Sequence, residues 1–392
     1  MIRVSHSLST KEALEEHRIQ LRDAFGDHSC NWYLKYANES NLFLRLFCVM
    51  GLFVDSDNTL KRRITVHVFH GILLLSVVDC FVTTLLRIND LKMWKVWVIY
   101  YSTYQISIMI WYSIRCKRRH VTALLRLLHK LHPYTERKEI DIILFLIFCI
   151  PLIFAILSVL TKETKSRAQI VWYQHPIDNT NLQVIVVFIK TYLYNVLYPM
   201  VPTAIILLHC VLCQRVRRLI ICLRKEIEKC PPEQFDMAKQ SSIMRKKIKI
   251  DESLTLFQEV LHRSSFLISV LYFTACCTGV GWLIVGNQNV DDPALMGEFS
   301  LYFVNTFACL LLYMWFLGCL PIEIDNFKEE FCRKVEHRLL CLGKADEVDF
   351  LKVLCERPSF VVSGCDIMHF RRSSILALAG TVFTYIILLI TY

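Results

Sequence analysis

Charged residues are scarce in this 392-residue chain, where Asp, Glu, Lys and Arg together make up 20% of the sequence. A soluble globular domain carries about 25% charged residues, whereas this chain is 54% hydrophobic with a mean hydropathy of +0.40. Catalytic motifs are missing as well, because the sequence contains no phosphate-binding P-loop, no His-Glu-x-x-His and no Gly-x-Ser-x-Gly. The sequence therefore predicts a protein that resides in lipid, and it predicts neither an enzyme nor a cofactor.

Long apolar runs take the place of the missing charge. A bilayer core about 30 Å thick needs a helix of about 20 apolar residues, and seven stretches meet or nearly meet that length. They are Ile64–Leu86, Trp94–Ile114, Ile140–Leu160, Val184–Leu212, Ser265–Gly286, Ser300–Leu320 and Ile375–Tyr392. We therefore predict an all-α, polytopic membrane protein with seven transmembrane helices.

Basic residues are nearly absent from alternate loops between these spans. Lys and Arg number 9 before the first span, 8 between the second and third, 12 between the fourth and fifth and 9 between the sixth and seventh, against 2, 3 and 0 in the other loops. The positive-inside rule then predicts a cytoplasmic N-terminus and an extracellular C-terminus. None of the 17 cysteines lies in a predicted outer loop, so no structural disulfide is expected. The basic loops face anionic inner-leaflet lipid, and no nucleic-acid partner is predicted.

This topology divides the chain into six segments. They are a cytoplasmic N-terminus at 1–63 with an interfacial helix at Leu42–Val54, spans one to four at 64–212, a cytoplasmic helical loop at 213–264, spans five and six at 265–320, a second cytoplasmic helical loop at 321–374, and the seventh span at 375–392. Apolar residues recur at helical spacing in both cytoplasmic loops, for example Val216, Leu219 and Leu223 in the first and Phe327, Phe331 and Val335 in the second. These helices are predicted to prolong the spans, with their apolar stripes buried within the chain or against a neighbouring subunit.

Two ionisable residues stand out because they lie well inside predicted spans, where an unpaired charge costs several kcal/mol. Asp79 and Lys190 lie at a similar depth, roughly 10 Å below the outer ends of their spans at 1.5 Å per residue. They could form an ion pair with each other or line one water-filled cavity. In the alternative arrangement, Lys190 extends outward to the interface and Asp79 bonds Ser76 or Thr83.

The fourth span has two further features. Pro199 and Pro202 lie in mid-membrane, so a kink is predicted there. His209 adjoins Cys210 and Cys213, which have metal or redox spacing, but a second ligand pair is not evident in the sequence. We therefore interpret these thiols as buried packing groups and predict no metal site.

Aromatic residues crowd the outer halves of several spans. Some must form the interfacial belt that is usual for Trp and Tyr at headgroup depth. Others could line an outward-facing pocket for a small amphipathic molecule, to which they would supply ring faces and hydroxyls. The candidates are Tyr101, Tyr104, Tyr192, Trp282 and Tyr302.

The seventh span ends in a recognisable pattern. Thr384-Tyr385 is followed by five apolar residues and then by Thr391-Tyr392. This stretch resembles the C-terminal signature of the arthropod gustatory receptor family, which is Thr-Tyr, five apolar residues and Gln-Phe. The polar run Phe360–Ser374 before the span and the Gly51-Leu52-Phe53 turn also resemble that family.

The resemblance implies a ligand-gated cation channel that assembles as a tetramer around the seventh span. Carried over by position, Leu388 would form a hydrophobic gate and Thr391 a polar ring in the pore, while Thr384 is a further pore-lining candidate. A threonine in place of glutamine keeps the ring polar, because its hydroxyl can still face ions. The alternative for this span is a helix packed against lipid, whose threonines bond back to their own backbone.

The predicted function is that of a gustatory receptor in the plasma membrane of gustatory neurons. Its partners would be small-molecule tastants, membrane lipid and other receptor subunits in a homo- or hetero-tetramer. One alternative is a G-protein-coupled receptor, which requires the opposite orientation, with basic loops after spans one, three and five. Another is a co-receptor subunit that binds no ligand of its own.

Overall fold

The computed structural model describes residues 42–53, 60–86, 94–131, 138–161, 164–287, 293–342 and 360–391. These ranges are helical apart from turns and one short hairpin. The helices are α1 (Leu42–Val49), α2 (Leu60–Leu85), α3 (Trp94–Cys116), α4 (Arg118–Leu131), α5 (Lys138–Leu160), α6 (Thr164–Val171), α7 (Thr180–Asn195), α8 (Val201–Lys229), α9 (Met237–Asn287), α10 (Pro293–Leu342) and α11 (Arg372–Thr391). The hairpin pairs β1 (Ser363–Gly364) with β2 (Met368–His369), which run antiparallel.

Each predicted span is helical over most of its described length, and the all-α membrane fold is confirmed. Among the described residues, five helical segments are long and apolar enough to cross a membrane by length and composition. They are Arg63–Leu85, Glu139–Leu160, Thr180–Lys229, Met237–Val280 and Met296–Leu340. The inside-outside orientation of the two termini stays a prediction.

The fourth span is the centre of the bundle and is broken where its prolines predict a kink. α7 ends at Asn195, and an irregular turn at Val196–Met200 leads into α8. Within this turn Tyr198 has an extended backbone, with φ −145° and ψ 123°. All residues from Val196 to Leu208 are buried, so this part of the span has no lipid-facing side. The missing N–H of Pro199 accounts for the loss of regular helix.

Beyond the predicted spans, α8, α9 and α10 continue as one intrachain bundle. The predicted apolar stripes are buried between these helices, with Val216, Phe327 and Phe331 fully enclosed. Glu323 on α10 binds Arg217 at 2.7 Å and Arg224 at 3.1 Å on α8. Of the two arrangements that the sequence allowed for these stripes, the structure has the one within the chain.

The N-terminal apolar stretch forms a shorter helix than its length suggests. α1 ends at Val49, and Gly51 (φ +71°) turns the chain back. Phe43 and Phe47 are completely buried, and α1 packs against α2 and α5. An added Cβ at Gly51 would lie 3.0 Å from the His70 ring, so glycine is required by space as well as by φ.

The hairpin docks α11 against the bundle. The side-chain amide of Gln258 on α9 makes two hydrogen bonds to the backbone of Ser363. It donates to the Ser363 carbonyl (2.9 Å) and accepts from the Ser363 N–H (3.2 Å). Cys365 and Asp366 both have positive φ, and Ile367 N donates to Gly364 O at 3.1 Å, as in a type I′ turn. The hairpin thereby fixes the start of α11, which packs on α9 and α10.

A first prediction concerns the start of α7. The Asn179 carboxamide oxygen accepts hydrogen bonds from Asn181 N (2.9 Å) and Leu182 N (3.3 Å), which caps the helix. We expect Asn179→Ala to lower the free energy of unfolding by about 1 kcal/mol, because two helix N–H groups lose their acceptor. Thermal unfolding in detergent measures this. Asn179→Asp, which keeps the acceptor, should lose little, and an equal loss in both variants would contradict the capping role.

Candidate functional site

The two intramembrane charges meet in the structure. Lys190 on α7 binds Asp79 on α2, with 2.8 Å between Nζ and Oδ1, and both side chains are less than 20% exposed. The other Asp79 oxygen accepts from the Tyr194 hydroxyl at 2.5 Å. Ser76 and Thr83 instead donate to backbone carbonyls of their own helix. The structure therefore places the carboxylate and the ammonium together and not in the outward arrangement that the sequence also allowed.

A turn after α6 covers this ion pair from the outer side. Tyr173 (φ 55°) and Gln174 (φ 66°) have left-handed backbones, which cost a non-glycine residue about 1–3 kcal/mol. Three contacts offset that cost. The Tyr173 hydroxyl donates to Asp79, the Lys190 ammonium lies 4.1 Å from the Tyr173 ring centre, and Gln174 Nε2 donates to Leu86 O at 2.9 Å. The hydrogen bond to Asp79, together with burial, raises the pKa of Tyr173 to about 12, so its phenol remains a donor at neutral pH.

A group of tyrosine rings lies in the bundle beside this pair. We call it the tyrosine cluster, and its members are Tyr104, Tyr194, Tyr198, Tyr272 and Tyr302. Tyr198 is its centre, because its ring contacts those of Tyr104 (6.4 Å), Tyr272 (6.2 Å) and Tyr302 (5.8 Å) in edge-on geometry. Tyr194 connects the cluster to Asp79. The cluster therefore joins α3, α7, the turn before α8, α9 and α10 through one set of rings.

Hydroxyl groups give the cluster a polar component. Tyr272 and Thr203 share a hydrogen bond of 2.6 Å, whereas Tyr198 and Thr306 are 3.4 Å apart, which is a long contact between hydroxyls. Tyr198 and Tyr272 are 2% and 0% exposed. Ring faces and hydroxyls of this kind suit a small amphipathic molecule, which gains apolar contact and one or two hydrogen bonds.

The structure brings together some of the predicted pocket residues and not others. Tyr104 and Tyr302 belong to the tyrosine cluster through Tyr198. Tyr101 lies apart, with its ring 5.4 Å from Phe81 and its hydroxyl bonded to Gln105. Tyr192 is 36% exposed on the outside of α7. The side chain of Trp282 lies outside the described residues.

Sequence reasoning did not single out Tyr198 or Tyr272, which the structure places in the tyrosine cluster. Tyr272 lies on the buried side of α9, and nothing in its sequence neighbourhood distinguishes it from a core residue. Tyr198 carried a usable signal, because it immediately precedes Pro199. A residue before proline is pushed away from helical backbone angles, and non-helical backbone at membrane depth is tolerated only where it is buried in protein or lines a cavity.

The pore candidates lie on α11. Thr384 is exposed, and its hydroxyl donates to Gly380 O at 2.8 Å, just as Thr381 donates to Ala377 O. No side chain among the described residues approaches within 4 Å of a Cβ added at Gly380. This face of α11 is therefore open within one chain. Leu388 and Thr391 fall on the same helix, but their side chains lie outside the described residues.

The histidine of the fourth span lies within hydrogen-bond distance of two hydroxyl groups. His209 is completely buried, with Tyr313 OH 3.0 Å from Nδ1 and Ser264 Oγ 3.2 Å from Nε2. Both ring nitrogens are thus occupied by groups other than Cys210 and Cys213. Within the described part of the chain, no group of three His, Cys, Asp or Glu side chains could hold a metal ion.

Comparison with known proteins identifies the fold. The structure is similar to that of the insect olfactory receptor OR5 from Machilis hrabei, with a TM-score of 0.64 and 15% identity over 89% of this chain and 99% of that one. The chain has the fold of that insect receptor. The OR5 structure in complex with eugenol matches with a TM-score of 0.65 and 14% identity over 89% and 97% of the two chains. No family model and no curated protein matches the sequence.

Proposed function

We propose that this chain is a gustatory receptor, the subunit of a ligand-gated cation channel that detects small neutral tastants in chemosensory neurons. The tyrosine cluster is the observation that carries the proposal. It combines buried ring faces with hydroxyls inside a bundle of membrane-spanning helices. The fold that surrounds it is that of an insect receptor whose structure has been solved with eugenol. The gustatory assignment itself rests on the C-terminal signature around Thr384 and Tyr385.

Ligand binding would act on the pore through packed elements. A molecule that enters between the rings must separate Tyr198 from Tyr302 and so displace α10 relative to the turn that precedes α8. Further along α10, the Tyr313 ring lies 6.0 Å from the ring of Phe370, which directly follows the hairpin. The hairpin leads directly into α11. A shift in the outer bundle would therefore move the seventh span without any contact between ligand and pore.

The channel would form where four copies of α11 meet. Its open face carries Gly380, Thr381 and Thr384, and small or hydroxyl-bearing residues allow close approach of helices in a membrane. Leu388 would close the pore as a hydrophobic constriction, and Thr391 would present a hydroxyl ring to permeating ions. Plasma-membrane localisation and assembly with like subunits follow from the same proposal.

The test is patch-clamp recording of the chain in a heterologous cell, alone and with candidate partner subunits, against a tastant panel. We expect Leu388→Ala to raise current in the absence of ligand by several-fold, because a smaller side chain no longer dewets the gate. Thr391→Gln should change the relative permeability to Na⁺, K⁺ and Ca²⁺. Leu340→Ala is the control, since Leu340 is 87% exposed near the C-terminal end of α10. Wild-type gating and permeation in both gate variants would overturn the pore assignment.

The inside-outside orientation of the two termini can be tested separately. Epitope tags at both termini, probed with and without permeabilisation, should reveal an N-terminal tag only after permeabilisation and a C-terminal tag in intact cells. The reverse pattern would favour a G-protein-coupled receptor.

A further inference from the structure

One face of α10 borders the tyrosine cluster. Tyr302, Asn305, Thr306 and Cys309 are spaced three and four residues apart, which places them on the same side of the helix. Tyr302 and Thr306 both contact Tyr198. Cys309 lies 4.0 Å from Thr203 Oγ1, which in turn bonds Tyr272. Asn305 therefore lies among residues that line the cluster.

The two ends of the Asn305 side chain have different surroundings. The Cys309 thiol donates to Asn305 Oδ1 at 3.9 Å, which orients the carbonyl end of the amide toward Cys309. The Nδ2 end is buried, and no hydrogen-bond acceptor among the described residues is in reach of it. Asn195 of α7 provides the contrast, because its Nδ2 donates to Thr191 O at 2.8 Å.

A buried donor without an acceptor is costly. Leaving an amide N–H unsatisfied costs about 1–3 kcal/mol, and native proteins retain few such groups, often at functional positions. An apolar residue at this position would avoid the cost in a purely structural core. A bound molecule that brings a hydrogen-bond acceptor would therefore explain the buried N–H donor of Asn305.

We propose that Asn305 determines ligand specificity by donating a hydrogen bond from Nδ2 to an acceptor oxygen on the ligand. The ligand class is a small, neutral, aromatic or otherwise apolar compound that carries a carbonyl, ether or hydroxyl oxygen. Neutrality follows from the surroundings, because the carboxylate nearest to the cluster, Asp79, is already bound by Lys190, Tyr173 and Tyr194. This inference rests on the proposed function, since it places the ligand in the tyrosine cluster.

The test compares acetophenone with α-methylstyrene, in which a methylene group replaces the ketone oxygen. Ligand-induced shifts in thermal unfolding are measured on the purified full-length chain in detergent, so the readout does not depend on channel current. For wild type we expect acetophenone to bind at least tenfold more tightly than α-methylstyrene. In Asn305→Leu this preference should disappear, because the donor is gone while the size of the side chain is kept. Asn195→Leu is the control and should retain the preference.

Three outcomes would overturn the proposal. They are equal binding of the two compounds to wild type, a ketone preference that persists in Asn305→Leu, and no shift with either compound. Asn305→Leu should fold, since it removes an unsatisfied donor, and Asn305→Met serves as a second apolar variant if it does not. A ketone preference without any ligand-evoked current would leave the role of Asn305 standing and overturn only the channel function.

Discussion

Lys190→Met will destabilise the protein by about 3 kcal/mol, the lower end of the loss that follows removal of one partner from a buried ion pair. The loss arises because the Asp79 carboxylate remains buried without its counter-charge. Hydroxyls of Tyr173 and Tyr194 still bond it, which keeps the effect from being larger. Thermal unfolding of the detergent-solubilised protein measures the change.

The double variant Asp79→Asn with Lys190→Met should recover most of this stability. A neutral carboxamide can accept from one tyrosine hydroxyl and donate to the other, and no charge is then left without a partner. The difference between the double variant and the sum of the single variants gives the coupling energy. Asp178→Asn is the control for loss of a carboxylate, because Asp178 is exposed on the same outer loop, and it should change stability by less than about 0.5 kcal/mol. A coupling energy near zero would show that the pair contributes nothing.

Gly318→Ala will also destabilise the protein, although alanine is the better helix former. A Cβ at this position of α10 would lie 3.0 Å from Arg372 N and 3.2 Å from Arg371 C, so the backbone at the start of α11 must move. Overpacking of this kind costs about 1–3 kcal/mol. The Arg372 guanidinium lies 4.5 Å from the Trp315 ring, which leaves this end of α11 little room to shift. Thermal unfolding and ligand-evoked current are the two measurements, and both should fall.

Gly71→Ala is the matched control for Gly318→Ala. Gly71 lies within α2, and a Cβ there meets nothing within 4 Å among the described residues. This control should gain up to about 1 kcal/mol from helix propensity alone. If the two variants behave alike, the close approach of α10 to the start of α11 has no energetic consequence. If Gly318→Ala unfolds at lower temperature but keeps a normal current, the hairpin holds α11 without transmitting a signal to it.

Some parts of the site were within reach of sequence reasoning and others were not. Asp79 and Lys190 stood out because charge is rare in apolar runs, and equal depth suggested that they could meet. Tyr173, which covers the pair, gave no such signal. It lies in a polar loop, and its contact depends on a left-handed turn that tyrosine seldom adopts. Asn305 could likewise not be recognised from the sequence, because an amide without a hydrogen-bond partner is identified only when its neighbours are known.

The amino-acid sequence by itself determined the class of this protein: the apolar runs, the break at Pro199 and the helices that extend below the membrane. These features depend on residues close together along the chain, where composition and periodicity act directly. Tertiary structure alone decided which residues meet. Tyr198 reaches Tyr302 across 104 positions of sequence, and Gly318 meets Arg372 across 54. Such contacts depend on how helices pack and rotate against one another, which local periodicity does not encode.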